Sequence, residues 1–97
     1  MLWVRRISWT ARAVEHLRRH QVNRGDVEAA LRGPVYARRV YRGTRSRYEV
    51  LAKVPASGRV LLIVMEDESR GRIAVVSAWN ADLRQRGLYE RRAKGAP

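Results

Sequence analysis

The chain has 97 residues, with 21 Lys plus Arg against 9 Asp plus Glu and a formal net charge of +12 at pH 7. That length suits one domain with a modest core, and the absence of cysteine excludes disulfides and thiolate metal sites. The positive excess asks for an anionic partner: nucleic acid first, an acidic protein second, with an arginine-rich composition of no further role as the bland alternative.

Lys53 and Lys94 are the only lysines; the rest of the positive charge is arginine, whose planar fork matches phosphate oxygens and stacks on bases. Met1 to Arg6 lacks the long apolar stretch of a secretory signal. The longest apolar run, Val60 to Met65, is too short to cross a bilayer. No segment joins a basic face to a large apolar one, so no membrane partner is expected and a cytoplasmic location is the default.

In chain order, Leu2 to Trp9 reads as a strand with Ile7 and Trp9 on one face. Thr10 is a plausible N-cap for a helix over Ala11 to His20, with Ala13, Val14 and Leu17 as its buried stripe. Asn23 caps a second helix ending near Arg32, with Val27, Ala30 and Leu31 inward and Asp26 in the first turn, where the helix dipole favours it. Gly33-Pro34 stops that helix, with glycine at the C-cap.

Strands follow over Val35 to Arg42 and Arg45 to Val54, joined at Gly43-Thr44. In the second, Tyr48, Val50, Ala52 and Val54 face one way and Arg47, Glu49, Leu51 and Lys53 the other. After a turn at Pro55 to Gly58, Val60 to Met65 reads as a central strand covered on both faces. Asp67 to Gly71 turns the chain into a last strand, Ile73 to Trp79. Asn80 or Asp82 caps a final helix reaching about Arg92, weakened by Gly87, with a thin apolar side that docks loosely. The expected fold is α+β, in the order β-α-α-β-β-β-β-α, with a largely antiparallel sheet packed by the two N-terminal helices. Residues 1–92 form one domain and 93–97 a disordered tail.

Metal-free RNA cleavage needs a base for the 2′-OH, a clamp for the crowded phosphorane and an acid for the leaving oxygen. His20, Tyr48, Lys53 and Tyr89 can transfer protons, while Arg47, Arg84 and Arg86 can serve as clamps. His16 and His20 share a helix face at i, i+4, but no third ligand stands at a fixed spacing, so a metal site has weak support. His20 falls at the edge of the apolar stripe, where a half-buried structural histidine is an equal reading; His16 points further toward solvent as a binding residue. Arg38, Arg39, Arg42, Arg45 and Arg47 crowd one hairpin among Tyr36, Tyr41 and Tyr48, a pattern suited to phosphates and stacked bases. The plain alternative is edge-strand protection. Arg84, Arg86, Arg91 and Arg92 form a second patch, equally readable as an ordinary solvated helix face. Trp79 could pack or stack a base. No phosphate-binding glycine loop or paired carboxylate site occurs, and no cofactor is expected.

The stretch Ile7-Ser8-Trp9-Thr10 followed by His16-Leu17-Arg18-Arg19-His20-Gln21-Val22 resembles the opening of BrnT-like toxins of the RelE/ParE superfamily. Ile73 to Trp79 through Tyr89-Glu90 is similar to that family's last strand and helix, and Arg47-Tyr48 with Val60 to Met65 fits its meander. The resemblance spans residues 7 to 92. It implies a RelE-like fold and a toxin of a type II toxin–antitoxin system: a ribonuclease that cuts mRNA to block translation. It also implies neutralisation by a cognate antitoxin, with which such toxins commonly bind promoter DNA. Three positions depart from the family pattern: Trp79 stands where an arginine is usual, Gln85 where a glutamate is usual, and Gln21 where glycine usually follows the histidine. The departures at Trp79 and Gln85 keep a second expectation open, a non-catalytic nucleic-acid-binding module retained as a co-repressor. Both expectations require guanidinium groups from separate stretches to converge on one concave surface.

Overall fold

The computed structural model describes residues 7–43 and 45–93; the first part of the strand expected over Leu2 to Trp9, as far as Arg6, the turn residue Thr44 and the tail from Lys94 lie outside the described residues. Strand β1 (Ile7–Ser8) leads into helix α1 (Ala11–Arg19), followed by α2 (Arg24–Leu31). Strands β2 (Val35–Arg42), β3 (Arg45–Lys53), β4 (Val60–Asp67) and β5 (Ile73–Asn80) come next, and α3 (Leu83–Arg92) closes the domain.

Local chemistry sets the helix starts. Thr10 Oγ1 accepts the Ala13 N–H at 3.0 Å, and Asn23 Oδ1 accepts the Asp26 N–H at 2.8 Å, each satisfying a donor that the first helical turn leaves unpaired. The second helix ends with Arg32, rather than Gly33, as its C-cap. At α3, Asp82 accepts the Gln85 N–H at 2.8 Å while Gln85 Oε1 accepts the Asp82 N–H at 2.9 Å. This reciprocal capping box gives Gln85 a structural role that a glutamate could also fill.

The five strands form one sheet in the order β1-β5-β4-β3-β2. The meander β2 to β5 is antiparallel, but β1 runs parallel to β5, with Ile7 opposite Ile73 and Ser8 opposite Ala74. The sheet is therefore mixed. Between Val64 and Met65 the β4–β5 register shifts, their partners being Ser77 and Val75, which leaves Val76 as an extra residue in the edge strand and bends it locally.

Side chains alternate across the pleat, and each face has its own cover. Leu17, Val27 and Leu31 from α1 and α2 pack on Val50, Leu61, Ile63 and Met65. Burying each such side chain contributes about 1.5–3 kcal/mol. Tyr89 and Leu88 of α3 pack on Leu51, Val60 and Leu62 on the other face. The fold is thus three layers, not a sheet packed by the two N-terminal helices alone. The third helix does not dock loosely: Tyr89 is buried, and its hydroxyl donates to the Pro34 carbonyl at 3.1 Å.

Two expectations for α1 are corrected. Val14 is exposed, leaving Ala13 and Leu17 as the buried positions. His16 is the partly covered histidine and His20 the exposed one, because His20 is the C-cap and leaves the helical spiral that its periodicity assumed. Gln21 then takes a left-handed backbone, φ 58°, a conformation that glycine adopts without steric cost.

Candidate nucleic-acid interface

The structure divides the sequence-predicted residues among several places rather than one concave surface. Two of these lie along the outer edge of β5, beyond the short reach of β1. From Ala74 to Asn80 this edge runs about 20 Å at ~3.3 Å per residue, with the N-terminal end of α1 at one end and its C-cap, His20, at the other.

The first place is a cleft of about 340 Å³, lined by Thr10, Arg12, Ala13 and His16 of the α1 segment, Ala74, Val75 and Val76 of β5, and Arg47 and Glu66. Strand pairing explains its floor: Arg47 sits opposite Glu66 and Glu66 opposite Ala74, so the three form a lateral row across neighbouring strands. The bulged Val76 lies at its rim. Arg47 Nε donates to Glu66 Oε1 at 2.5 Å, with both side chains about one-quarter to one-third exposed. Arg12 is exposed and makes no ion pair among the described residues. An imidazole, two guanidinium groups and a carboxylate therefore border one open volume.

The second place lies where α1, β4, β5 and α3 meet. A cavity of about 310 Å³ there is lined by Gly58, Arg59, Val60, Asn80, Ala81 and Arg86. Arg59 Nε donates to Asn80 Oδ1 at 2.5 Å, and its two terminal nitrogens donate to the carbonyls of Gln21 at 2.8 Å and His20 at 3.2 Å. Nearby, the His20 and Trp79 ring centroids stand 5.8 Å apart, tilted by 47°. Trp79 is half-buried against the core beneath α3.

The remaining predicted residues lie elsewhere. Tyr48 is on the opposite sheet face from Arg47, half-buried; its hydroxyl accepts from Arg39 and donates to Asp67 Oδ2 at 3.2 Å, and the Arg39 guanidinium sits 4.8 Å from its ring centre. Hydrogen bonds to Tyr41 and Tyr48 raise the Arg39 pKa further above its ordinary value. Arg38 pairs with Glu49 at 3.0 Å and, with Arg84, lines a small cavity of about 60 Å³ under α3. Lys53 pairs with Glu90 at 3.2 Å, its ammonium 5.6 Å from the Tyr89 ring centre. Arg42 and Arg45 face each other at the end of the hairpin; their side chains lie outside the described residues.

Tyr89 is buried in the α3 contact with the sheet. Burial raises the pKa of its phenol, and its hydroxyl donates to the Pro34 carbonyl. Arg12, Glu66, Arg59 and Asn80 are the site residues that the sequence reading missed. Arg12 could have been found by extending the His16 face one turn toward the N-terminus; Arg59, whose partners are backbone carbonyls from a distant turn, carries no sequence signal.

Electrostatics favours an anion along this edge. Six of the nine acidic residues face cations in ion pairs: Glu15, Glu28, Glu49, Glu66, Asp67 and Glu90. Among the described residues, Arg12 and Arg86 are left without carboxylate partners, and Arg59 meets only neutral acceptors. Among the described residues, no group of three His, Asp or Glu gathers to hold a metal, and no helix is long and apolar enough to cross a membrane. Comparison of the chain with protein-family profiles, curated proteins and solved structures finds no match.

Proposed function

We propose that the protein is the toxin of a type II toxin–antitoxin pair, an endoribonuclease that cuts mRNA without a metal. The BrnT-like sequence pattern motivates this reading. The observation that carries it is the cleft in which His16 and Arg47, brought from separate stretches, border one volume with Arg12 and Glu66. RNA lies along the β5 edge, with the scissile phosphate beside Arg47 and Arg12. Imidazole exchanges protons near neutral pH, so His16 removes the 2′-OH proton or returns one to the leaving oxygen. The guanidinium groups stabilise the charge that builds on the phosphorane. Arg47 pairs with Glu66 before RNA arrives and can exchange that carboxylate for the incoming phosphate. An acidic antitoxin surface would compete for the same cations. Purified protein incubated with RNA tests the proposal: cleavage that persists in chelator and disappears in His16→Ala supports it.

One observation favours a second reading, a non-catalytic nucleic-acid-binding module. His20, Tyr48, Lys53 and Arg84 do not share the cleft, and Trp79 packs against the core where relatives of the resembled family carry arginine. Binding without cutting, unchanged by Trp79→Arg, supports that module.

A further inference from the structure

We infer that Arg59 and Arg86 form a phosphate subsite in the cavity at the C-terminal end of β5. An arginine side chain has five N–H donors. Three of those on Arg59 are taken by Asn80 Oδ1 and the carbonyls of Gln21 and His20. Two remain.

The three acceptors fix the guanidinium plane but carry no formal charge, so its positive charge stands without a carboxylate. Arg86 lines the same cavity from α3, is exposed, and makes no ion pair among the described residues. Two like charges bordering one space repel unless an anion joins them. The two carboxylates nearest Arg86 in sequence have other partners: Asp82 Oδ1 accepts the Gln85 N–H in the α3 capping box, and Glu90 pairs with Lys53. A held guanidinium and an exposed one, with about 310 Å³ between and around them, match a tetrahedral oxyanion reached by forked donors.

The ligand class is a phosphate group, either a phosphodiester of an RNA strand or the phosphate of a small metabolite. The RNA form rests on the proposed function, since a strand following the β5 edge from the Arg47 cleft would meet this cavity; capture of phosphate itself does not. Arg86 is exposed and makes no side-chain bond among the described residues, so Arg86→Gln removes its charge with little risk to the fold. Arg92, exposed on the same helix and outside the cavity, provides a control of equal charge.

The test follows the backbone amides of Gly58, Asn80 and Ala81 by heteronuclear NMR in the full chain at constant ionic strength, titrating inorganic phosphate and, separately, a short oligoribonucleotide. These amides should shift, and Arg86→Gln should weaken the apparent affinity about tenfold, the effect of losing one charge-assisted hydrogen bond. Arg92→Gln should leave it within a factor of about two, as expected for an exposed charge outside the site. Equal weakening by both variants, or no shift of these amides with either probe, overturns the subsite. Tighter binding of the oligoribonucleotide identifies an RNA phosphodiester as the ligand. A response to inorganic phosphate alone keeps the subsite, assigns it to a small phosphate compound, and counts against the RNA path and not against the pocket.

Discussion

Arg47 and Glu66 meet at 2.5 Å across neighbouring strands, at the floor of the cleft that also holds His16. The pair gives two substitutions opposite effects. Arg47→Gln should lower RNA cleavage about 10²–10³-fold, the scale for removing one preorganised charge donor. Glu66→Gln preserves the side-chain shape but releases Arg47, so RNA binding should tighten by a few fold, as expected for a partly exposed ion pair worth about 1 kcal/mol or less. Binding by fluorescence anisotropy and single-turnover cleavage check both signs.

Phosphate contacts also leave a salt signature. RNA affinity should fall linearly with salt on logarithmic axes, each phosphate contact on a single strand adding about 0.7 to the slope. Arg12→Gln and Arg47→Gln should each flatten that slope by about this amount. Arg18→Gln, on an exposed arginine paired with Glu15 on the helix surface, should leave it unchanged.

Arg59 ties the turn after α1 to the end of β5, and the turn itself is strained at Gln21. Arg59→Ala should destabilise the protein by about 1–3 kcal/mol, because it leaves two backbone carbonyls and an amide oxygen without this donor. Gln21→Gly should stabilise it by up to about 1 kcal/mol, since glycine relieves the left-handed conformation at some cost in unfolded-chain entropy. Urea unfolding measures both.

Tyr89 gives the fold an alkaline limit. Burial raises its phenol pKa above 10.0 in the folded state, so the folded protein keeps a proton that the unfolded chain loses. Its contribution is complete below pH 10 and declines as pH rises from there toward the folded-state value. Tyr89→Phe should remove this part of the alkaline decline while costing about 1 kcal/mol near neutral pH, through loss of the hydrogen bond to Pro34. Unfolding curves from pH 8 to 11 separate the two effects.

Elements governed by local chemistry were legible in the sequence. Thr10, Asn23 and Asp82 cap the helices as their side chains allow, and the strand Val35–Arg42 has the bounds expected from its turn residues. The alternation of Tyr48, Val50 and Ala52 against Arg47, Glu49 and Leu51 set the two faces of β3 correctly. The parallel pairing of Ile7 with Ile73 was not legible, because a two-residue contact across the chain leaves no periodic pattern. The docking of α3 escaped notice because it depends on one aromatic residue, Tyr89, reaching the Pro34 carbonyl 55 positions away.

The candidate site was less legible than the fold. His16 and Arg47 were both named, one as a binding residue on the first helix and the other as a clamp on the basic hairpin, and no local pattern brings those two stretches together. Arg59 holds the turn carrying His20 near the end of β5, and its acceptors there are carbonyls of residues 38 and 39 positions earlier. Backbone acceptors have no side-chain identity to read.

The most direct measurement is single-turnover cleavage of a defined RNA in excess chelator by the intact protein and by His16→Ala, with the products' termini identified. Attack by the 2′-OH predicts fragments ending in a 2′,3′-cyclic phosphate from the intact protein and a rate at least about 10²-fold lower in the variant, the usual scale of general acid–base catalysis. Intact RNA with and without chelator, or equal cleavage by a correctly folded His16→Ala, contradicts a catalytic cleft at the edge of β5.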